Sequence, residues 1–127
     1  MQVFKAILVV FLGGGFGSVC RFLLSKWLNP ISGTFFLGTF SANILGCLVI
    51  GFVSGLALRS QYLDQYLGLL VITGFCGGFT TFSTFSLENL NLIRSGELNH
   101  FLVYTVISLL TGIAAVLSGL WLGKSIF

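Results

Sequence analysis

The chain has 127 residues, 56% of them hydrophobic and 7% charged, where a soluble domain of this size carries about a quarter charged residues. A mean hydropathy of +1.06 and 14 Phe exclude an ordinary water-soluble globule and a disordered chain. Six basic and three acidic side chains, net +3, are too sparse for the basic surface that nucleic acid needs, so no nucleic-acid partner is expected. With about 20 residues per bilayer crossing, four crossings use most of the length, and a single membrane domain, 1–127, is expected.

The first expected crossing runs from about Val3 to Leu24. Its outline is that of a secretory leader, but it lacks a small-residue cleavage site and continues through glycines to Arg21 and Lys26, so it is read as a retained helix. Gly13, Gly14, Gly15 and Gly17 follow no strand and miss the spacing of a dinucleotide-binding loop, which leaves close helix packing as their role. Arg21 lies within or at the end of this crossing, where mid-bilayer placement would cost about 2.5–3.5 kcal/mol. It has two readings: an anchor that snorkels to the interface, or a source of positive potential that draws anions into a vestibule. Lys26, Trp27, Asn29 and the only proline, Pro30, close the segment with interfacial and breaker residues.

The second crossing is expected from about Thr34 to Leu58, ahead of a polar stretch of Arg59, Ser60, Gln61 and Asp64. Gly38, Ala42 and Gly46, then Gly51 and Gly55, recur at the four-residue spacing that lets helix backbones approach. Asn43 is its one amide, near mid-span, with Thr39 four residues earlier. An unpaired amide at that depth is costly, so Asn43 needs a partner or water, as a pore-lining group or as interhelical glue. Cys20, Cys47 and Cys76 are odd in number, lie inside apolar runs and match no zinc spacing, so inert thiols are expected.

The third crossing, from Tyr66 to Leu87, contains the most unusual stretch, GFCGGFTTFSTFSLEN, at Gly74 to Asn89. Gly74, Gly77 and Gly78 weaken a helix, and the hydroxyls of Thr80 and Thr81 can satisfy backbone groups that a break sets loose. A break is expected near Gly77 to Thr80. Irregular backbone at membrane depth survives only where it is buried in protein or lines a wet cavity, and its released carbonyls are natural cation ligands. Beyond the break, helical spacing sets Thr81, Thr84 and Glu88 on one face, with Phe85 beside them and Phe82 one turn away. Hydroxyls donate to an anion and the edge of a phenylalanine ring is electropositive, so this face suits a small anion. Glu88 is read as a polar terminus of that face or a partner for a cation.

The fourth crossing is expected from Phe101 to Gly123, with Tyr104, Ser108, Thr111, Ala115 and Ser118 forming a narrow stripe that is either a polar track or a packing seam. Gly119 and Gly123 extend the small-residue spacing, and the interfacial His100 has no partners at metal spacing. Lys5, Arg59 and Lys124 fall on one side of the membrane, and Arg21, Lys26 and Arg94 on the other. That tie gives no winner under the positive-inside rule. A chain able to insert either way round is suited to pairing with an inverted copy, and a dual-topology homodimer is expected.

The pattern as a whole is similar to the Fluc/CrcB family of fluoride channels, through GGGFGSVCR at Gly13 to Arg21, GTFSANILG at Gly38 to Gly46 and, above all, GFCGGFTTFSTFSLE at Gly74 to Glu88. The resemblance implies an all-α membrane protein of four transmembrane helices, the third broken, assembled as an antiparallel homodimer in the cell inner membrane among its lipids. It further implies two parallel pores that export fluoride and confer fluoride resistance, and a structural Na⁺ at the dimer axis. On this chain the Na⁺ ligands would be the backbone carbonyls of Gly77 and Thr80. The pore asparagine falls on Asn43, the two pore phenylalanines on Phe82 and Phe85, the polar track on Ser83, Thr84 and Tyr104, and the vestibule arginine on Arg21.

Fluoride is small and strongly hydrated, so a pore must offer several close donors without a charge that would trap it. No nucleophile and base pair, acid dyad or nucleotide loop is evident, and no enzyme is expected. The competing reading is a small multidrug-type exporter, also a four-helix inverted dimer, which would need a membrane-embedded carboxylate. Glu88 is its one candidate. A small subunit of a larger membrane complex would be served by the glycine seams alone, but it leaves the hydroxyl and aromatic face without a purpose.

Overall fold

The computed structural model describes residues 1–31, 33, 35–59 and 63–126. It is helical throughout its main elements. Helix α1 (Gln2–Leu28) runs into a short 3₁₀ turn at Asn29–Ile31, and α2 spans Leu37–Arg59. The third crossing is composite: a continuous helical run, 65–79 and here α3, contains an α-helical turn Gln65–Gly68, a π-helical stretch Leu69–Cys76 and a last turn Gly77–Phe79. After two extended residues it continues as α4 (Phe82–Arg94), and α5 occupies Leu98–Ser125. Among the described residues, four helical spans are long and apolar enough to cross a membrane: Gln2–Ile31, Leu37–Arg59, Gln65–Arg94 and Leu98–Ser125.

These are the four expected crossings, the first, third and fourth with longer ends. The first and fourth reach beyond Val3–Leu24 and Phe101–Gly123 because a helix does not stop where hydrocarbon stops. Charged and aromatic residues such as Lys26, Trp27 and Lys124 continue the backbone ladder into the interfacial zone. The second begins at Leu37; Thr34, its expected start, and Ser60 and Gln61 of the polar stretch lie outside the described residues. What ends α4 is local chemistry. Gly96 adopts φ 78°, its N–H donates to Ile93 O at 3.1 Å, and Glu97 N–H donates to Leu92 O at 2.9 Å. This is the Schellman arrangement, in which a left-handed residue lets the chain turn back on its own last carbonyls.

Burial is inverted relative to a soluble protein. Phe4, Phe11, Phe22 and Trp121 stand well exposed along the outside, as do most large apolar side chains of α1 and α5, while glycines fill the helix contacts. In lipid no hydrophobic force drives helices together, so close backbone approach and van der Waals packing must do it. Two seams result. On the first, a Cβ added to Gly13 or Gly17 of α1 would collide with the carbonyls of Leu70 or Phe75 on α3, and one on Gly78 with the carbonyl of Gly14. On the second, Gly51 of α2 meets Val116 O of α5, while Gly119 and Gly123 of α5 meet Leu48 O and Phe52 O of α2. The glycine spacings read as packing surfaces form these contacts. The seams hold α1 to α3 and α2 to α5, which brings the interruption of the third crossing against the middle of α2.

Candidate functional site at the interruption of the third crossing

The helix stops at Phe79 and restarts at Phe82; Thr80 (φ −84°, ψ 158°) and Thr81 (φ −151°, ψ 121°) between them are extended. Gly77 and Gly78, where the sequence predicts the irregularity to begin, are helical. Glycine permits a departure from the helix without compelling one, and the ladder carries on to Thr80 before side chains take over its donors. Thr80 N–H and Thr80 Oγ1 both donate back to Cys76 O, at 2.9 and 2.8 Å. Thr81 caps α4, its Oγ1 accepting from Thr84 N–H at 3.2 Å and donating to Thr84 Oγ1 at 3.1 Å, with Ser83 Oγ at 3.3 Å.

The side chain of Asn43, from α2, completes the arrangement. Its Oδ1 accepts from Thr81 N–H at 2.7 Å and its Nδ2 donates to Thr81 O at 3.2 Å. The amide that the sequence left in need of a partner therefore takes the N–H that Thr81 withdraws from the helical ladder and adds a donor to the Thr81 carbonyl. In an unbroken helix Gly77 O would accept from Thr81 N–H and Thr80 O from Thr84 N–H. Both amides are turned to side-chain acceptors, so both carbonyls are without their helical donors. Gly78 O is served from the other side, by Arg21 Nε of α1 at 3.0 Å. Arg21 is thus a half-buried cap on the last turn of α3, a contact that neither the anchor nor the vestibule reading anticipated.

Beside the extended pair is a cavity of about 370 Å³, lined among others by Asn43, Thr80, Thr81, Phe82, Phe85 and Ser108, with Gly77 also on its wall. The ring centroids of Phe82 and Phe85 lie 6.1 Å apart, and Phe82 is 79% exposed. Ser108 Oγ is buried and has no hydrogen-bond partner among the described residues. The fourth-crossing stripe divides: Ser108 reaches this cavity, whereas Thr111 Oγ1 donates to Ile107 O of its own helix at 2.5 Å. Ser83 and Thr84 stay on the first turn of α4, around the Thr81 hydroxyl.

Tyr104 stands behind Phe85, ring centroids 5.1 Å apart, and its hydroxyl donates to Glu88 Oε2 at 2.7 Å. Thr39 Oγ1 donates to Glu88 Oε1 at 2.6 Å. Glu88 is 7% exposed and its two partners 1% each, so the buried carboxylate ties α2, α4 and α5 together at a single point. Thr39 had no expected role. The hint lay in its place one turn before Asn43 on α2, which sets two polar groups on the face that meets α4.

The residues present fit a monovalent cation at Gly77 and Thr80. The two carbonyls lack their helical donors, and around Gly77 there is open space, with nothing within 4 Å of where an added methyl group would stand. They equally fit a small anion in the cavity, where hydroxyls and ring edges offer donors and no side-chain cation sits among the lining residues.

Known proteins resemble this chain along most of its length. The profile of the family described as CrcB-like protein, Camphor Resistance (CrcB), matches residues 8–120. The chain belongs to the CrcB family. Its relatives include proteins named "Fluoride-specific ion channel FluC" in several bacteria. The one from Azobacteroides pseudotrichonymphae is 47% identical over 116 residues, 91% of this chain and 93% of the relative. The one from Phocaeicola vulgatus is 44% identical over 121 residues, 94% and 99%, and that from Chlorobium phaeobacteroides 41% over 124 residues, 98% and 96%. The family match spans every crossing of this CrcB chain, the interruption included, and the chain is a multi-pass membrane protein.

Proposed function

We propose that this chain is a fluoride-selective channel that lets F⁻ leave the cell across the inner membrane and so confers fluoride resistance. It works as an antiparallel homodimer with two pores. The observation that carries the reading is the cavity at the interruption, where Asn43, the Thr80 and Thr81 region, the rings of Phe82 and Phe85 and the unpaired Ser108 hydroxyl converge without a trapping charge. The names of the relatives point the same way.

Conduction follows from the donors. A dehydrating F⁻ passes from hydroxyl and amide donors to the ring edges of Phe82 and Phe85, each contact close enough to replace water and weak enough to release the ion. Asn43 fixes the Thr81 backbone and lines the cavity. Ser83 and Thr84 extend the polar track along the first turn of α4 beside the Thr81 hydroxyl, Tyr104 backs it from α5 with its hydroxyl engaged by Glu88, and Arg21 lends positive potential near the last turn of α3. Sodium at the dimer axis would be held by the carbonyls of Gly77 and Thr80 from both copies. When bound it would supply fixed positive charge between the two interruptions.

The small exporter reading needs a carboxylate that cations and protons can reach. Glu88 is buried and already accepts from Thr39 and Tyr104, which disfavours that reading. The decisive experiment is electrogenic efflux from proteoliposomes loaded with fluoride or chloride. Rapid F⁻ efflux with most flux abolished in chloride is expected; equal permeation of both ions would reduce the proposal to a generic anion pathway. Replacing Na⁺ with choline throughout purification is expected to lower both the dimer fraction and F⁻ efflux.

A further inference from the structure

We propose that Cys47 and Cys76 form a two-thiol site for a soft, linearly coordinated d¹⁰ cation such as Hg²⁺, on the wall of the cavity beside the interruption. Cys47 belongs to α2, and Cys76 closes the π-helical stretch of α3, so neither helix carries the pair by itself. The fold brings both onto one cavity of about 370 Å³. Both are free thiols; Cys76 is 3% exposed and Cys47 half-buried. The sulfur of Cys47 lies 3.7 Å from where a Cβ on Gly112 of α5 would stand, so the glycine leaves room on that side of it. Cys20, on α1, is not among the lining residues.

The donor set selects the ion. Among the described residues no group of three or more His, Cys, Asp and Glu comes together, so neither a tetrahedral zinc site nor a carboxylate-rich site for a hard cation is available. Ile44, Ile50, Ile72 and Leu109 make much of the remaining wall apolar, and the hydroxyls of Thr80 and Ser108 are hard donors. Two sulfurs are the ligand set that a soft ion prefers and that linear coordination completes. Binding of neutral HgCl₂ is balanced without electron transfer: two S–Hg bonds form, each thiol gives its proton to water and two chlorides leave. Because the wall also carries Phe82 and Phe85, an ion held here would obstruct the cavity. The site itself rests on sulfur and space, independently of any anion that passes.

The test uses the full-length chain with Cys20→Ser, loaded with HgCl₂ and challenged with 2-mercaptoethanol, with retained mercury measured by mass spectrometry. One Hg per chain should survive the challenge. Adding Cys47→Ser or Cys76→Ser should lower the competitor concentration needed to strip the metal by about 100-fold or more, the scale at which a second tethered ligand raises apparent affinity. Equal retention after removal of either thiol would overturn the proposal. A second measurement needs no change at the site: X-ray absorption at the mercury edge, on Cys20→Ser without competitor, should report two sulfur ligands, and a single sulfur would overturn it equally.

Discussion

Asn43 and Thr81 exchange two hydrogen bonds, side-chain amide to backbone peptide, at 2.7 and 3.2 Å. This pairing makes an extended residue tolerable between two helices at membrane depth, since both polar groups of the Thr81 peptide find partners on α2 rather than in water. A buried group stripped of its partner costs about 1–3 kcal/mol. Asn43→Leu, similar in size and unable to bond, should therefore lower unfolding stability in detergent by roughly that amount and abolish most F⁻ efflux. Asn43→Asp keeps an acceptor for Thr81 N–H and loses the donor to Thr81 O, so its stability should fall between the two. If Asn43→Leu unfolded at the wild-type temperature, the pairing would contribute nothing to the interruption.

The two phenylalanines at the cavity should separate conduction from stability. Phe82 is 79% exposed and its ring meets that of Phe85, whereas Phe85 also packs against Tyr104. Phe82→Ile removes an aromatic edge at small structural cost, so F⁻ efflux should slow by about tenfold or more, equivalent to ~1.4 kcal/mol of barrier, with unfolding unchanged. Phe85→Ile should slow efflux and lower stability together. Proteoliposome efflux beside thermal unfolding checks both, and undiminished efflux in the pair of variants would remove ring edges from the conduction pathway.

The crossings were legible because each is a long apolar run, and the packing seams because glycines at four-residue spacing have few other uses in lipid. The interruption was legible only in region. Gly77 and Gly78 drew attention as weak points, but the extended residues are Thr80 and Thr81, since their position is decided by Asn43 on another helix. The π-helical stretch Leu69–Cys76 left no mark in the sequence; a run such as LLVITGFC has no periodicity that separates π from α. Spacing on α4 placed Thr81, Thr84 and Glu88 on one face, yet the partners of Glu88 come from α2 and α5. Reading one helix cannot reveal a contact built by three.

Glycine substitutions should follow the seams rather than the composition. A methyl group on Gly17 would run into Phe75 O, while one on Gly15 or Gly77 would meet nothing within 4 Å. Gly17→Ala must push α1 from α3, and overpacking of this kind costs about 1–3 kcal/mol. Gly15→Ala should leave stability unchanged or slightly raised, as alanine is the better helix former. Unfolding midpoints of the two variants decide the matter; matching losses would mean that the seam is not closely packed.

The carboxylate of Glu88 gathers Thr39 and Tyr104 from different helices, and that sharing has a measurable consequence. Losing one partner of a buried hydrogen-bonded group costs about 1–3 kcal/mol. Thr39→Val or Tyr104→Phe alone should destabilise by about that much, because Glu88 stays buried with one donor remaining. Removing both leaves the carboxylate with neither, so the double variant should lose more than the sum, by about 0.5 kcal/mol or more of coupling. Adding Glu88→Leu to the double variant should recover part of the loss, since the buried group that needed the donors is gone. Simple additivity of Thr39→Val and Tyr104→Phe in equilibrium unfolding would mean that the two hydroxyls do not act through a common acceptor.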